Sequence, residues 1–247
     1  MKNLKYYILL GLITIMQLGY SQTKLTVDAF DSAEISPHIH VTFVEGTEES
    51  VTIEESLVPE DKINIKVKGK TLHIYLDDAK NVTKTDNMDR DGTKMSVPIY
   101  KGKILTITVT YKKLKELTIK GEGSTLFNSP IKAESFDLKI YGESKIVFNE
   151  VDFNEFDVDT YGESFLEIKK GRINNQKITA YGEGQINLFS IDNKTTKITA
   201  YGEAEFKINA SNVIKITAYG EAEIQYKGDA TIEKGLTIGD VKISKVD

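Results

Sequence analysis

A glycine followed by an acidic residue recurs at Gly121, Gly142, Gly162, Gly182, Gly202, Gly220 and Gly239, at intervals of 21, 20, 20, 20, 18 and 19 residues. Five copies read Tyr-Gly-Glu, starting at Tyr141, Tyr161, Tyr181, Tyr201 and Tyr219. A fixed period constrains the fold more than any local propensity, because one structural unit must be stacked repeatedly.

The residues around each glycine alternate strictly. Four before it stand Leu117, Leu138, Val158, Ile178, Ile198 and Ile216; two before it Ile119, Ile140, Thr160, Ala180, Ala200 and Ala218. Two after it come Gly123, Ser144, Ser164, Gly184, Ala204 and Ala222, all small, and four after it Thr125, Ile146, Leu166, Ile186, Phe206, Ile224 and Ile243. Six after it stand Phe127, Phe148, Ile168, Leu188, Ile208 and Tyr226. Period two is a β pattern with one face turned inward. The glycines share the inward parity, which predicts bends with little interior room beneath them and a clash for a side chain at Gly142. In the seventh unit Leu236 and Ile238 are shifted by one and Lys245 replaces the last apolar residue, as suits a terminal coil.

A strand-rich unit of about 20 residues, too short to contain a helix, predicts an all-β fold, a parallel β-helix or related β-solenoid. One coil cannot bury its inward side chains alone, but stacking at about 4.8 Å makes a continuous core. Six intervals then give a stack roughly 29 Å tall. A propeller would need two such units per blade, and a prism or sandwich would not require identical residues to recur in one register.

Residues 23–120 are strand-rich without the Tyr-Gly-Glu mark, alternating through Ile39, Val41 and Phe43, Ile63, Ile65 and Val67, Leu72, Ile74 and Leu76, and Leu105, Ile107 and Val109. Gly46 and Lys68-Gly69-Lys70 read as hairpin connections, so two antiparallel hairpins are expected to cover the first open edge of a solenoid spanning 121–247. No Pro-rich or Gly/Ser-rich linker separates the halves, and a polar loop is expected between Asp77 and Pro98.

Residues 1–22 have the layout of a secretory signal. Lys2 and Lys5 precede an apolar run from Tyr6 to Leu18 that is short for a membrane span, and Gly19 and Ser21 take the small-residue positions before a cut. Export to the periplasm, cell surface or medium is therefore expected, and removing two lysines takes the net charge from −5 to −7. With no Cys the chain has no disulfides, no thiolate zinc site and no lipid-acylation cysteine. Arg90 and Arg172 are its only arginines and no basic block occurs, so nucleic-acid binding is not expected.

The whole pattern resembles the family of putative auto-transporter adhesins with a head GIN domain, exported proteins of Bacteroidetes-type bacteria. The resemblance rests on Phe30-Asp31-Ser32-Ala33-Glu34-Ile35, on Ile39-His40-Val41-Thr42-Phe43-Val44-Glu45-Gly46, on Leu114-Lys115-Glu116-Leu117 leading to Gly121-Glu122-Gly123, and on the Gly-acid rungs. It implies a right-handed β-helix, export and a surface or adhesion role, and no catalytic residues. His38 and His40 stand where the family has small residues.

Three sets of residues are candidate sites. Flanking an inward glycine, Tyr141, Tyr161, Tyr181, Tyr201 and Tyr219 should form one exterior file, and Glu143, Glu163, Glu183, Glu203 and Glu221 another. Tyr rings offer amphipathic area and carboxylates accept hydroxyl hydrogen bonds or hold a cation, so the files suit a glycan, peptide or metal. They have an architectural use too, as stacked aromatics and a solvated acidic corner. Asn87, Asp89 and Asp91 match the opening of a calcium loop, but Pro98 stands where an EF-hand needs its bidentate acid, leaving only a looser Ca²⁺ site or a solvated turn. His38 and His40, two apart on one strand, could chelate a metal, but no third ligand is visible and His73 lies on another strand; solvent-facing histidines are expected.

Some parallel β-helices are polysaccharide lyases or hydrolases, whose sites bring unlike groups together at one place. Here every rung repeats the same residues, so a non-catalytic adhesin-like binding or scaffold module is the leading expectation, with a lyase or a purely structural envelope component as alternatives. The partner would be an extracellular glycan or envelope protein, and a homo-oligomer could form through open stack ends or flat faces.

Overall fold

In the computed structural model the described residues are 23–90 and 93–246, side chains of 87–94 excepted. The signal-like residues 1–22, together with Asp91 and the side chains of Asn87 and Asp89 from the calcium-loop motif, lie outside them. The chain is a β-solenoid, as the period predicts.

The first strands are β1 (Thr23–Thr26), β2 (Ser32–Ile35), β3 (Ile39–Glu45), β4 (Ser50–Ser56), β5 (Ile63–Lys68), β6 (Thr71–Leu76), β7 (Thr85–Arg90), β8 (Thr93–Pro98) and β9 (Leu105–Tyr111). The coils follow as β10 (Glu116–Lys120) with β11 (Gly123–Phe127), β12 (Ile131–Tyr141) with β13 (Ser144–Phe148), β14 (Val151–Tyr161) with β15 (Ser164–Ile168), and β16 (Gly171–Tyr181) with β17 (Gly184–Leu188). In the next two coils the strand runs unbroken through the glycine, as β18 (Ile191–Asn209) and β19 (Val213–Lys227). The last coil is β20 (Thr231–Ile238) and β21 (Val241–Lys245).

Coil stacks on coil in parallel and in register, so that Tyr141 pairs with Tyr161, Tyr161 with Tyr181, Tyr181 with Tyr201 and Tyr201 with Tyr219. Parallel stacking begins before the Gly-acid mark, because β2 pairs with β10 and β3 with β11. Above that coil β6 pairs with β2 and β9 with β3, and the antiparallel strands β5, β4 and β1 close the end. Lys68-Gly69-Lys70 is the expected hairpin, with Gly69 at φ +62°. Gly46 is not: β3 has β11 on one side and β9 on the other, so the turn carries the chain past β9 to β4. The expected polar loop 77–98 contains a hairpin, β7 against β8, in which Thr85 pairs with Pro98 and Arg90 with Thr93.

The inward files form one buried core. Phe43, Phe127 and Phe148 stack face to face at 4.8 and 4.3 Å, and Ile168 continues the file. Fully burying each such side chain contributes roughly 1.5–3 kcal/mol. The second corner holds Phe136 and Phe156, and the same file then turns polar. Gln176 Nε2 donates to Thr196 Oγ1 at 2.8 Å, and Thr196 Oγ1 to Asn193 Oδ1 at 2.7 Å. Lys234 and Lys245 take inward positions of the last coil, opposite Ile216 and Tyr226, and a one-residue bulge sits between Ile216 and Ala218.

The expected clash at Gly142 falls on the neighbouring coil, and a tight interior beneath the glycines is not what requires them. They sit at corners that are partly exposed, or exposed at Gly162 and Gly239, and do not point into the interior. Their φ values run from +74° at Gly121 to +122° at Gly220; Gly121 lies on Pro37, and each later one lies on the glycine of the coil before. A Cβ on Gly142 would come within 3.0 Å of Gly121 Cα, and one on Gly182 within 3.2 Å of the Gly162 backbone. Gly182→Ala is therefore expected to lose roughly 2–4 kcal/mol from combined backbone strain and overpacking, read as a lower melting temperature. Gly184→Ala is the control: its Cβ meets only ordinary contacts at 3.7–4.0 Å, so stability should hold or rise.

Candidate functional site

The exterior of each coil has two parts divided by the glycine corner. Before the corner lies a flat sheet face carrying the tyrosine file; after it lies a groove carrying the glutamate file.

Tyr141, Tyr161, Tyr181, Tyr201 and Tyr219 stack at 4.9, 4.8, 4.8 and 5.1 Å, with rings within 5° of parallel. Those rings spend their faces on each other. Exposure of 37–39% at Tyr141, Tyr161, Tyr181 and Tyr201 is therefore exposure of edges and hydroxyls. Between neighbours the ring faces are covered by one another, and the stacking ties coil to coil.

Glu143, Glu163, Glu183, Glu203 and Glu221 follow one another up the stack and line a groove of about 570 Å³, which Asp240 extends. The opposite wall is Lys145, Phe165, Gln185, Glu205, Glu223 and Lys242, and the small residues two after each glycine form the floor. Ser144 anchors that floor by donating from Oγ to the Gly121 carbonyl at 2.6 Å. Among the described residues none of the five file glutamates has an ion-pair partner, whereas Asp240 meets Lys242 at 3.3 Å. Counting inward positions found the first wall because it follows the glycine; the second wall varies from coil to coil and carries no repeat signal.

The histidines depart from expectation. His38 is not on a strand face and not solvent-facing: it lies just before β3 at φ +69°, only 5% exposed. Its Nδ1 is 2.8 Å from the Gly102 carbonyl and its Nε2 2.6 Å from Thr83 Oγ1, so it ties two loops to the first coil. His40 is partly buried with Nδ1 3.0 Å from Ser124 Oγ, and burial together with Lys103 lowers its pKa. His73 lies 3.7 Å from Glu34. No three His, Asp or Glu residues among those described are placed to hold a metal ion. Arg172 pairs with Asp152 at 2.9 Å, away from the groove. No helix among the described residues is long and apolar enough to cross a membrane.

A second exterior feature escaped the sequence reading. Five residues before each glycine a file runs Glu116, Asp137, Asp157, Lys177, Lys197, Lys215, with its sign changing midway. At the acidic end, partial burial first, then Asp157 and Glu116, push the Asp137 carboxyl above its usual range.

A family model described as putative auto-transporter adhesin, head GIN domain, matches residues 29–230. None of the curated proteins matches the sequence. Among solved structures, a putative adhesin from Bacteroides fragilis NCTC 9343 is similar at TM-score 0.72 and 19% identity, over 91% of this chain and 96% of that one. A putative adhesin from Parabacteroides merdae ATCC 43184 gives 0.64 at 19% identity, and a putative lipid binding protein from Parabacteroides distasonis ATCC 8503 gives 0.63 at 20%, each over 92% of this chain and 96% of the other. At these identities the likeness is one of fold.

Two outcomes follow from the electrostatics. Replacing Glu163 and Glu183 by Gln removes like-charge neighbours, so the melting temperature should rise by roughly 1–3 °C at low salt, with the gain shrinking as salt is added. A fall would mean that a bound cation had been lost. For Asp137 the folded protein holds its proton to higher pH than the unfolded chain, so stability falls as pH rises from the unfolded pKa through the folded one. Asp137→Asn should therefore stabilise at pH 7 and have little effect near about pH 3, as thermal melts at both pH values would read.

Proposed function

The chain belongs to the putative auto-transporter adhesin, head GIN domain family, and from that premise we propose that it is an exported, non-catalytic binding module of the cell envelope that holds an extended extracellular glycan in its glutamate groove. The observation that carries this reading is the continuous acidic groove, whose five in-register carboxylates have no ion-pair partner among the described residues. An ordered row of acceptors at one-coil spacing suits a ligand that repeats along its own length. Sugar hydroxyls or amino groups can donate to successive glutamates, and each contact is weak alone but adds along the row. Phe165 and Gln185 on the facing wall supply an apolar surface and an amide where the opposite side is purely acidic.

The non-catalytic reading follows from the same regularity. A lyase or hydrolase needs unlike groups converging on one bond, and the groove repeats like groups along its length. Its two lysines, Lys145 and Lys242, stand at opposite ends, one on the second Gly-acid coil and one on the last.

A glycan array followed by titration calorimetry tests the proposal. The protein should bind a defined glycan class, and Glu183→Gln with Glu203→Gln should weaken that binding at least about tenfold while leaving the melting temperature unchanged or higher. Binding that survives both substitutions would move the site off the groove. Unsaturated products from a uronic polymer would identify a lyase, and failure to bind any glycan would leave a structural envelope role.

A further inference from the structure

We propose that the flat face before the glycine corner is a self-association surface that pairs two copies of this chain with their coil axes antiparallel. This goes beyond the groove reading and leaves the groove open.

The face consists of three exterior files on β12, β14, β16, β18 and β19. The outer one runs Asp137, Asp157, Lys177, Lys197, Lys215, with Glu116 extending it below; the middle one runs Lys139, Asp159, Thr179, Thr199, Thr217; the inner one is the tyrosine file. In-register stacking keeps them straight, so the face is a plane with a charge gradient along the stack.

That gradient selects the partner and the symmetry. A two-fold axis lying in the interface, parallel to the strands and between the Asp157 and Lys177 rungs, keeps each file opposite itself and reverses its direction. Asp157 then faces Lys177 of the second copy, Asp137 faces Lys197, and Glu116 faces Lys215. The tyrosine file lies along its own image, Tyr161 against Tyr181 and Tyr141 against Tyr201. Asp159 meets Thr179, and no like charges in these files are opposed. An axis parallel to the coils would instead lay the outer file against the tyrosine file of the second copy, leaving its charges without opposite partners, and would set Lys139 and Asp159 each against its own image. Isologous contact of this kind closes as a dimer.

The four central charges are free to serve. Among the described residues Asp137, Asp157, Lys177 and Lys197 form no ion pair within the chain, while Glu116 and Lys215 bind Lys139 and Glu233 at 2.9 and 3.1 Å. Asp157, Lys177, Lys197 and Lys215 are exposed, and Tyr141, Tyr161, Tyr181 and Tyr201 are prominent among the exposed large hydrophobic residues. End-to-end association is the weaker alternative, because antiparallel strands close the first end and inward Lys234 and Lys245 guard the last. Six rungs by five residues is about 24 Å by 13 Å of planar face, small for a specific interface, so the dimer is weak and salt-sensitive.

Sedimentation equilibrium of the purified protein tests this between about 5 and 500 µM, in low and high salt. The expected result is a concentration-dependent dimer of the 27.7 kDa chain that high salt dissociates. Lys177→Glu and Asp157→Lys should each raise the dissociation constant at least about tenfold, because each sets like charges across the axis. Combining them restores the opposition of charge and should restore the dimer, which a general loss of stability could not do; melting curves check that every variant is folded. A monomer throughout the range, or a dimer indifferent to both single substitutions, overturns the proposal. A dimer that both substitutions weaken and their combination fails to rescue also overturns the pairing.

Discussion

The structure depends on one backbone contact repeated up the stack. Each corner glycine, in the left-handed region, donates its N–H to the tyrosine carbonyl of the next coil, from Gly121 to Tyr141 at 2.6 Å through Gly182 to Tyr201 at 2.8 Å. The bond closes only because neighbouring glycines lie within van der Waals range of one another, where a Cβ would intrude on backbone. It fixes the register of both strands leaving the corner. A slip by one residue would carry every inward side chain to the exterior, so the corner determines which residues are core.

Strict register has a cost that the exterior must absorb, because each outward side chain sits about 4.8 Å from its counterpart in the next coil. The chain meets this in three ways. Tyrosines convert self-proximity into ring stacking. The file five residues before the glycine changes sign midway, so its central neighbours, Asp157 and Lys177, are opposite charges. The glutamates after the glycine are left in an open groove where water screens them. The first solution is structural, and the other two leave ordered rows of charge on the exterior, the rows on which the proposed groove and paired face are built.

What the sequence made legible was whatever repeats. The period, the parity, the buried files, the terminal coil and the exterior tyrosine and glutamate rows follow from counting around Gly142 and its counterparts. What it hid was whatever breaks the repeat or depends on a non-local neighbour. His38 reads as a strand residue by alternation, but the left-handed turn that buries it is held by Gly102 and Thr83, 64 and 45 residues away. Gly46 resembles a hairpin turn until β9, also distant in sequence, comes to lie between β3 and β4. Gln176, Asn193 and Thr196 lie outside the count around the glycines, yet they sit in the core, where Gln176 Nε2 donates to Thr196 Oγ1 and Thr196 Oγ1 to Asn193 Oδ1, above the buried rings of Phe136 and Phe156.

The two ends show why such a stack has a definite length. A parallel solenoid can in principle add coils indefinitely, since its last strand offers the same hydrogen bonds as every strand before it. At the first end the chain reverses strand direction, and β1, β4 and β5 present antiparallel edges with no glycine corner for a coil to copy. At the last end it keeps the direction but spoils the inward pattern. Lys234 and Lys245 sit over Ile216 and Tyr226, so a further coil laid there would have to bury two ammonium groups. The one-residue bulge before Thr237 adds a register fault at the same place. With both ends closed in this way, the regular sides of the stack remain as the surfaces through which the molecule can meet a ligand or another copy of itself.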